Sequence, residues 1–176
     1  REKIDCLYYL VSGLEKNATS EAEINGFHFV DLRVTFIKQL RKPEKNFVPQ
    51  WHIRRAVESD LPTLKMMARN AFPLSRFKVD SHFDQEKADE MYEVWIENDL
   101  RTEGHDVWVI DVDNQLAAFA SVGQKRDGKA HIGLVGTQEE WRGRGLSLEL
   151  QRFVSEELRN EEIAEIEVVT QGRNIP

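Results

Sequence analysis

A strand, a glycine-rich turn and a helix follow one another within residues 131–147, and this order constrains the fold more than any other feature of the sequence. Gly143 and Gly145 let the backbone turn tightly and approach a ligand without a Cβ in the way. A helix that begins near Gly145 leaves its first amide N–H groups unpaired, at the positive end of its dipole. Arg142 and Arg144 add positive charge. The stretch therefore predicts an anion site of the kind that binds a pyrophosphate.

Other glycine-rich loops match this stretch less well. A Walker loop requires Lys and Ser or Thr after its last glycine, whereas Gly145 is followed by Leu146 and Ser147. A dinucleotide fingerprint requires a third glycine where the chain has Leu148. A plain glycine-rich helix start with solvated arginines is the alternative that the residues themselves leave open.

Hydrophobic periodicity predicts the rest of the chain as alternating helices and strands. The predicted strands cover residues 4–11, 27–37, 51–57, 106–112, 115–124, 130–136 and 163–170. The predicted helices cover residues 15–25, a segment capped by Ser59 or Asp60 and ended by Pro73, a segment from Asp84 to Arg101, and residues 144–160. Strands 106–112 to 130–136 form an antiparallel meander, and the helix after them gives a βαβ crossover with parallel pairing.

Composition narrows the class of protein. With 40% hydrophobic and 31% charged residues, the chain is typical of a soluble globular protein, and its longest apolar runs are too short to span a membrane. A net charge of -7 argues against nucleic acid as a partner. The five histidines and the carboxylates lack metal-ligand spacing, so no metal is expected. The single cysteine, Cys6, is predicted to be a buried core residue in a protein of the reducing cytoplasm.

The glycine-rich stretch resembles the acetyl-CoA site of the GNAT acetyltransferase superfamily, whose motif is Arg/Gln-x-x-Gly-x-Gly/Ala. Arg142 and Gly145 match this motif, and Ser147 departs from it but is still small. The resemblance implies an α/β GNAT acyl-CoA N-acyltransferase fold, with a mixed central sheet, flanking helices and a split between the strand before the turn and its neighbour. It also implies that acetyl-CoA is bound by Leu134, Val135, Gly136, Arg142, Gly143, Arg144, Gly145, Leu146, Ser147 and Asn174.

The resemblance also implies a domain organisation. Residues 51–176 are expected to form the GNAT domain, after a linker at 41–50 and a partial GNAT-like region at 1–40. Members of the superfamily usually protonate the departing thiolate with a tyrosine that would lie beyond Pro176. The domain is therefore expected to be C-terminally incomplete and a poor catalyst. The strand at 163–170 is then expected to present an open edge that invites self-association.

A narrower resemblance concerns the acceptor. Residues 71–77 and 92–98, with Ile132-Gly133-Leu134 later, are similar to bacterial TDP-fucosamine acetyltransferases, which acetylate the 4-amino group of TDP-linked 4-amino-4,6-dideoxygalactose. This implies that Ser75, Arg76 and Phe77 border the acceptor pocket. Arg76 is then placed to pair with a nucleotide phosphate, although a solvated loop arginine is the alternative.

These observations predict an N-acetyltransferase in which a neutral amine attacks the thioester directly. A backbone N–H at or near Val135 would stabilise the oxyanion. The catalytic acid and base are left unassigned; His131 is a candidate base on the strand itself, and Tyr92 is a further candidate for the acid. A protein or small-amine acetyltransferase, a non-catalytic acetyl-CoA-binding module and a homodimer are left open.

Overall fold

In the computed structural model, the described residues are 4, 6–15, 17–40 and 47–174, with the side chain of Gln124 left aside. The chain divides into two compact units, residues 1–31 and Leu32–Pro176. The sequence instead placed its boundary at a linker over residues 41–50. Residues 41–46 of that linker lie outside the described residues, and residues 47–50 contain no helix or strand.

The first unit contains one short helix, α1 (Ala18–Ile24), among its described residues. Gly26 follows it with a φ of +84°, and Phe27 N donates to Ala22 O at 3.0 Å, so the helix ends in the left-handed turn that the sequence predicted. The prediction of a strand over residues 4–11 is wrong, because the described residues of that range are in neither helix nor strand. Cys6 is exposed, which corrects the prediction that it is a core residue.

The second unit is built on a six-stranded mixed sheet among the described residues. Its strands are β1 (Arg33–Gln39), β2 (His52–Arg55), β3 (Asp106–Val112), β4 (Gln115–Arg126), β5 (Lys129–Thr137) and β6 (Glu165–Gln171). The strand order across the sheet is β1-β6-β5-β4-β3-β2. The β5–β6 pair is parallel and the other pairs are antiparallel, so the predicted meander and βαβ crossover are confirmed.

The expectation of an open edge on the last strand is wrong. All seven residues of β6 pair with β1, from Arg33 opposite Gln171 to Gln39 opposite Glu165. The predicted strand at 27–37 thus begins later, at Arg33, and forms the edge of the sheet itself. Sequence patterns could not reveal this pairing, because it joins segments from opposite ends of the unit.

Helices cover both faces of the sheet. They are α2 (Leu61–Ala71), α3 (Arg76–Val79), α4 (Gln85–Arg101) and α5 (Leu146–Asn160). The predicted start of α4 is confirmed, because Asp84 Oδ1 accepts from Lys87 N at 3.0 Å. Among the described residues, no helix is both long and apolar enough to cross a bilayer.

Two buried clusters form the core, one on each face. The α5 cluster includes Trp108, Ile110, Ala120, Val122, Ala130, Ile132, Leu146, Leu150, Val154 and Leu158. The cluster beneath α2 and α4 includes Leu64, Met67, Ala68, Tyr92, Ile96, Val107, Val109, Phe119 and Leu134. The sheet is therefore held between α5 on one side and the α2–α4 pair on the other.

Candidate active site

The parallel pairing of β5 and β6 ends part-way along both strands. Ile132 and Val168 are the last described residues that pair, although β5 continues to Thr137 and β6 to Gln171. From Gly133 onward the two strands separate. This opening provides unpaired backbone groups between strands whose other edges remain paired, which is a natural place for an extended ligand.

A β-bulge in β5 lies where this separation begins. Ile132 belongs to the α5 cluster and Leu134 to the α2–α4 cluster, whereas residues two apart in a regular strand share a face. The pairing register with β4 shifts at the same point. Leu134 N donates to the buried Ser121 Oγ at 2.8 Å, so a side chain replaces the missing backbone acceptor.

The bulge determines which amide faces the opening. Beyond it, Gly136 is opposite Phe119, and Gln138 N donates to Ala117 O at 2.9 Å, toward β4. Because N–H groups alternate in direction along a strand, those of Val135 and Thr137 point away from β4, toward the opening. The N–H of Val135 is therefore available to a ligand.

A cavity of about 230 Å³ occupies the opening. Its walls come from the end of β5, the end of β6 and the turn after α2. They are formed by Ala71, Phe72, Pro73, Leu74, Ser75, Val135, Gly136, Thr137, Arg142, Gln171 and Asn174. A second, more open cavity of about 740 Å³ lies at the glycine-rich turn and shares Thr137 and Arg142 with the first. The two form one continuous groove from the separated strands to the start of α5.

The glycine-rich turn has the geometry that the sequence predicted. Gly143 has a φ of +74° and Gly145, the N-terminal cap of α5, a φ of +80°, a region that favours glycine. No described atom lies within 4 Å of a Cβ built on either residue, so a side chain there would project into open space. Leu146 and Ser147 begin the helix and line the second cavity, which makes their amides donors for an anion.

Three charged side chains near the glycine-rich turn, those of Arg142, Arg144 and Glu149, have different partners. Arg142 lines both cavities, and its Nε donates to Thr137 O at 3.4 Å. Arg144 stacks on Trp141 at 4.6 Å and does not line either cavity among the described residues. Glu149, in the first turn of α5, accepts from the backbone amides of residues 50 and 51 at 2.5 and 2.8 Å. These amides offset a carboxylate that would otherwise oppose an anion at the helix start.

Leu134 and Asn174, two of the predicted cofactor residues, lie in different surroundings. Leu134 has its N–H bound to Ser121 and its side chain in the core, so it does not offer that donor to a ligand. Asn174 lines the cavity on the β6 side, with Nδ2 donating to Thr170 Oγ1 at 2.9 Å. The sequence did not point to Ser121, because a bulge in β5 is recognised only from its pairing with the neighbouring strand β4.

The predicted acceptor loop is divided between the cavity and its surroundings. Ser75 is 1% exposed and lines the cavity. Arg76 and Phe77 begin α3 and are not among its described lining residues. The Arg76 guanidinium lies 4.6 Å from the Phe77 ring, and Phe77 packs edge-on against Phe83 at 5.4 Å.

Tyr92 and His131 occupy different environments. Tyr92 is buried, stacks on Phe72 at 4.7 Å, and has its hydroxyl beside that of Ser75. Burial raises its pKa, which the Ser75 contact partly opposes, so the phenol stays protonated at neutral pH. His131 is half-buried on the paired part of β5, opposite Gly123 of β4 and Glu167 of β6. It lies outside the separated part of the strand.

The groove defines a class of ligand: an extended arm that pairs with β5, carrying an anionic group at the start of α5. Acyl-coenzyme A thioesters have this form, so the fold and site together define an acyl-CoA-binding α/β protein. The described residues contain no group of three His, Cys, Asp or Glu side chains suited to a metal ion.

Comparisons with known proteins agree with this class. The acetyltransferase (GNAT) family matches residues 71–176. A GCN5-related N-acetyltransferase from Sphaerobacter thermophilus superposes with a TM-score of 0.65 and 20% identity over 93% of this chain and 50% of its own. The PaiA N-acetyltransferase from Thermoplasma acidophilum, solved with coenzyme A, gives 0.60 and 19% over 70% of this chain and 80% of its own. A predicted acetyltransferase from Clostridium acetobutylicum, solved with acetyl-CoA, gives 0.51 and 18% over 70% and 82%.

The chain belongs to the GNAT acetyltransferase family, and its fold is the α/β GNAT fold. It spans half the length of the Sphaerobacter thermophilus protein that it matches over nearly all of its own residues. No curated protein sequence matches the chain significantly.

Proposed function

We propose that this protein is an amine N-acetyltransferase that uses acetyl-CoA. One observation carries the proposal: the opening beyond Ile132 and Val168 continues into the glycine-rich start of α5, so one groove offers both a strand edge and an anion site. Coenzyme A bound to the Thermoplasma acidophilum relative supports the choice of ligand. The proposed cofactor residues are Val135, Gly136, Arg142, Gly143, Arg144, Gly145, Leu146, Ser147 and Asn174, with Leu134 acting through the core.

The residues suggest how the reaction proceeds. The Val135 N–H, which faces the cavity, is placed to donate to the thioester oxygen as negative charge develops there. The groove holds the thioester so that a neutral amine can attack it directly, without a covalent intermediate on the protein. The catalytic acid and base are not assigned by this proposal, and His131 remains a candidate base.

For the acceptor we favour a TDP-linked 4-amino-dideoxy sugar. The loop around Ser75 supports this choice, because it carries the sequence similar to TDP-fucosamine acetyltransferases and Ser75 lines the cavity beside Val135. Arg76 follows Ser75 directly and is the proposed partner of a nucleotide phosphate. A protein amine or a small amine is the alternative acceptor. A cytoplasmic location remains part of the prediction, and a homodimer remains open.

Calorimetry with acetyl-CoA, followed by thiol release with each acceptor, tests the function. Binding with turnover supports a transferase, binding without turnover on any amine supports a non-catalytic acetyl-CoA-binding module, and absence of binding refutes the proposal.

The sugar acceptor has its own test. Arg76→Ala should raise the KM for the TDP-amino sugar about 10- to 150-fold without changing acetyl-CoA affinity, since a hydrogen bond to a charged group contributes about 1.5–3 kcal/mol. Arg126→Ala, which removes a highly exposed arginine at the β4–β5 turn, is the matched control. An unchanged KM in Arg76→Ala would argue for the other acceptors.

A further inference from the structure

A buried carboxylate, that of Asp99 in α4, has one oxygen without a hydrogen-bond donor. The side chain is 9% exposed. Its Oδ1 lies 3.1 Å from Nδ1 of His105, whereas its Oδ2 has no donor within the described part of the chain. A carboxylate oxygen buried without a donor is costly. Such a group indicates a role in which the oxygen receives a proton or a transient donor.

The free oxygen lies beside Gly133, where the opening between β5 and β6 begins, although Asp99 is not among the described residues that line the cavity. A Cβ built on Gly133 would be 3.2 Å from Asp99 Oδ2 and 2.7 Å from Ser121 Oγ, so all three meet at the bulge. Gly133 is the first residue of β5 beyond the last pair with β6. At about 3.3 Å per residue, the Val135 amide is roughly 7 Å further along the strand. A proton that leaves an amine held there therefore reaches Asp99 through a chain of bridging waters and not directly.

Asp99 and His105 form a pair whose His105 end reaches the surface. The side chain of His105 is 23% exposed, and its ring covers Gly123 of β4. Since Nδ1 is engaged with Asp99, Nε2 is the ring nitrogen left to exchange protons with solvent. The two side chains together therefore join the point where the opening begins to the solvent.

The ionisable groups on the strands around the pair are His131 of β5, Asp106 of β3 and Lys125 of β4. Asp106 is hydrogen-bonded to Lys125, so its charge is already compensated. His131 is the cross-strand partner of Gly123, on which the His105 ring lies, and so belongs to the same face. Asp99 of α4 differs from these three groups, because it combines burial, a free carboxylate oxygen and contact with the bulge.

We propose that Asp99 and His105 form a proton relay that carries the proton of the acceptor ammonium from the opening to solvent, an inference that rests on the proposed function. The ammonium gives one proton to Asp99 through bridging water. Its nitrogen then forms a bond to the thioester carbonyl carbon, and the carbon–sulfur bond breaks with the electron pair on sulfur. The second proton of the nitrogen neutralises the thiolate through water. The first passes from Asp99 to His105 and then to solvent, so the pair returns to its starting state.

The test compares two kinds of nucleophile on the whole chain. Spermidine, a TDP-linked 4-amino sugar and a free peptide N-terminus serve as acceptors that are protonated near neutral pH, and hydroxylamine serves as one that is already uncharged. In Asp99→Asn, and independently in His105→Gln, kcat for the protonated acceptors should fall about 100-fold, the lower range for lost acid–base catalysis. Hydroxylamine should be affected much less, and the defect should shrink as the pH approaches that at which the acceptor is neutral.

Asp106→Asn is the matched control, since Asp106 is an equally buried carboxylate outside the relay. Its effect should be the same for all nucleophiles. Equal losses for charged and uncharged nucleophiles in Asp99→Asn and His105→Gln, or no loss in either variant, would overturn the relay. Calorimetry with acetyl-CoA distinguishes failure of the relay from failure of the proposed function. If the variants bind acetyl-CoA normally and match the wild type in turnover, only the relay is overturned. Failure of the wild-type protein to bind acetyl-CoA overturns the proposed function and this inference with it.

Discussion

Val135 and Gln171 line the same cavity, although the strands that carry them stop pairing at Ile132 and Val168. Each strand is held by its other neighbour, β5 by β4 and β6 by β1. The opening is therefore fixed between two paired strands and is not a frayed end, which makes its shape a property of the fold.

The glycine-rich turn provides the first prediction. Gly145→Glu should weaken acetyl-CoA binding by about 2 kcal/mol or more, roughly 30-fold, because it replaces favourable helix-terminus electrostatics by an anion. Gly128→Glu is the control, since Gly128 also has a positive φ, of +73°, and open space, at the other end of β5. Both variants should lose about 1–2 kcal/mol of stability from the strained backbone. Calorimetry showing equal affinities would refute the anion site.

Gly136 provides the second prediction. A Cβ on this residue would collide with Phe119 Cε1 and lie 3.2 Å from Ala71 Cβ. Gly136→Ala should therefore destabilise the protein by about 1–3 kcal/mol through overpacking. It should also move the strand that lines the cavity. Gly13→Ala, at a position with no atom within 4 Å, should change stability by less than about 0.5 kcal/mol. Urea unfolding of both variants measures the difference, and equal midpoints would contradict the packing argument.

Arg54 gives a prediction about acid stability. It donates to Asp60 at 2.7 and 3.0 Å and to Asp111 at 3.0 Å, and Asp60 Oδ2 also accepts from Val57 N at 2.8 Å. The Arg54 hydrogen bond lowers the pKa of Asp60. Its contribution to stability is therefore complete above the ordinary aspartate pKa and is lost as the pH falls through the lowered value.

Asp60→Asn should accordingly cost about 1.5–3 kcal/mol at pH 7, the range for hydrogen bonds to charged groups. The cost should shrink as the pH falls below the ordinary aspartate pKa and through the lowered pKa of Asp60, because the wild-type carboxyl then loses its charge. Denaturant unfolding at several pH values measures this, and a cost independent of pH would show that the charge of Asp60 does not matter.

Tyr92 gives a prediction about alkaline stability and catalysis. Burial raises its pKa, so its contribution to stability is present below the ordinary tyrosine pKa of about 10 and is lost as the pH rises beyond it. Tyr92→Phe should remove this alkaline dependence. Because Tyr92 is buried and is not among the described residues that line the cavity, we expect thiol release to be unchanged. A loss of 100-fold or more would instead identify Tyr92 as the proton donor to the thiolate.

Local signals in the sequence predicted much of the second unit. The Asp84 cap and the apolar stripe gave both ends of α4, and the glycines at 143 and 145 gave the turn before α5. These features depend on residues a few positions apart, which the sequence displays directly.

Features set by distant partners could not be predicted in this way. The apolar run at 4–11 resembles a strand, but periodicity does not reveal whether a partner strand exists. The bulge at Gly133 depends on Ser121 in the neighbouring strand, and the availability of the Val135 amide follows from that bulge. The free oxygen of Asp99 is visible only once α4 is packed against β5.

The pairing of β1 with β6 has a consequence for synthesis on the ribosome. Gly172 N donates to Leu32 O at 2.6 Å, and the first and the last described strands in chain order lie side by side in the sheet. Until β6 emerges, the backbone groups of β1 that pair with it stay unpaired, and long-range strand pairing of this kind is slow. The nascent chain thus carries an unpaired strand edge while the residues between β1 and β6 are translated, a state in which chaperone binding protects a protein from aggregation.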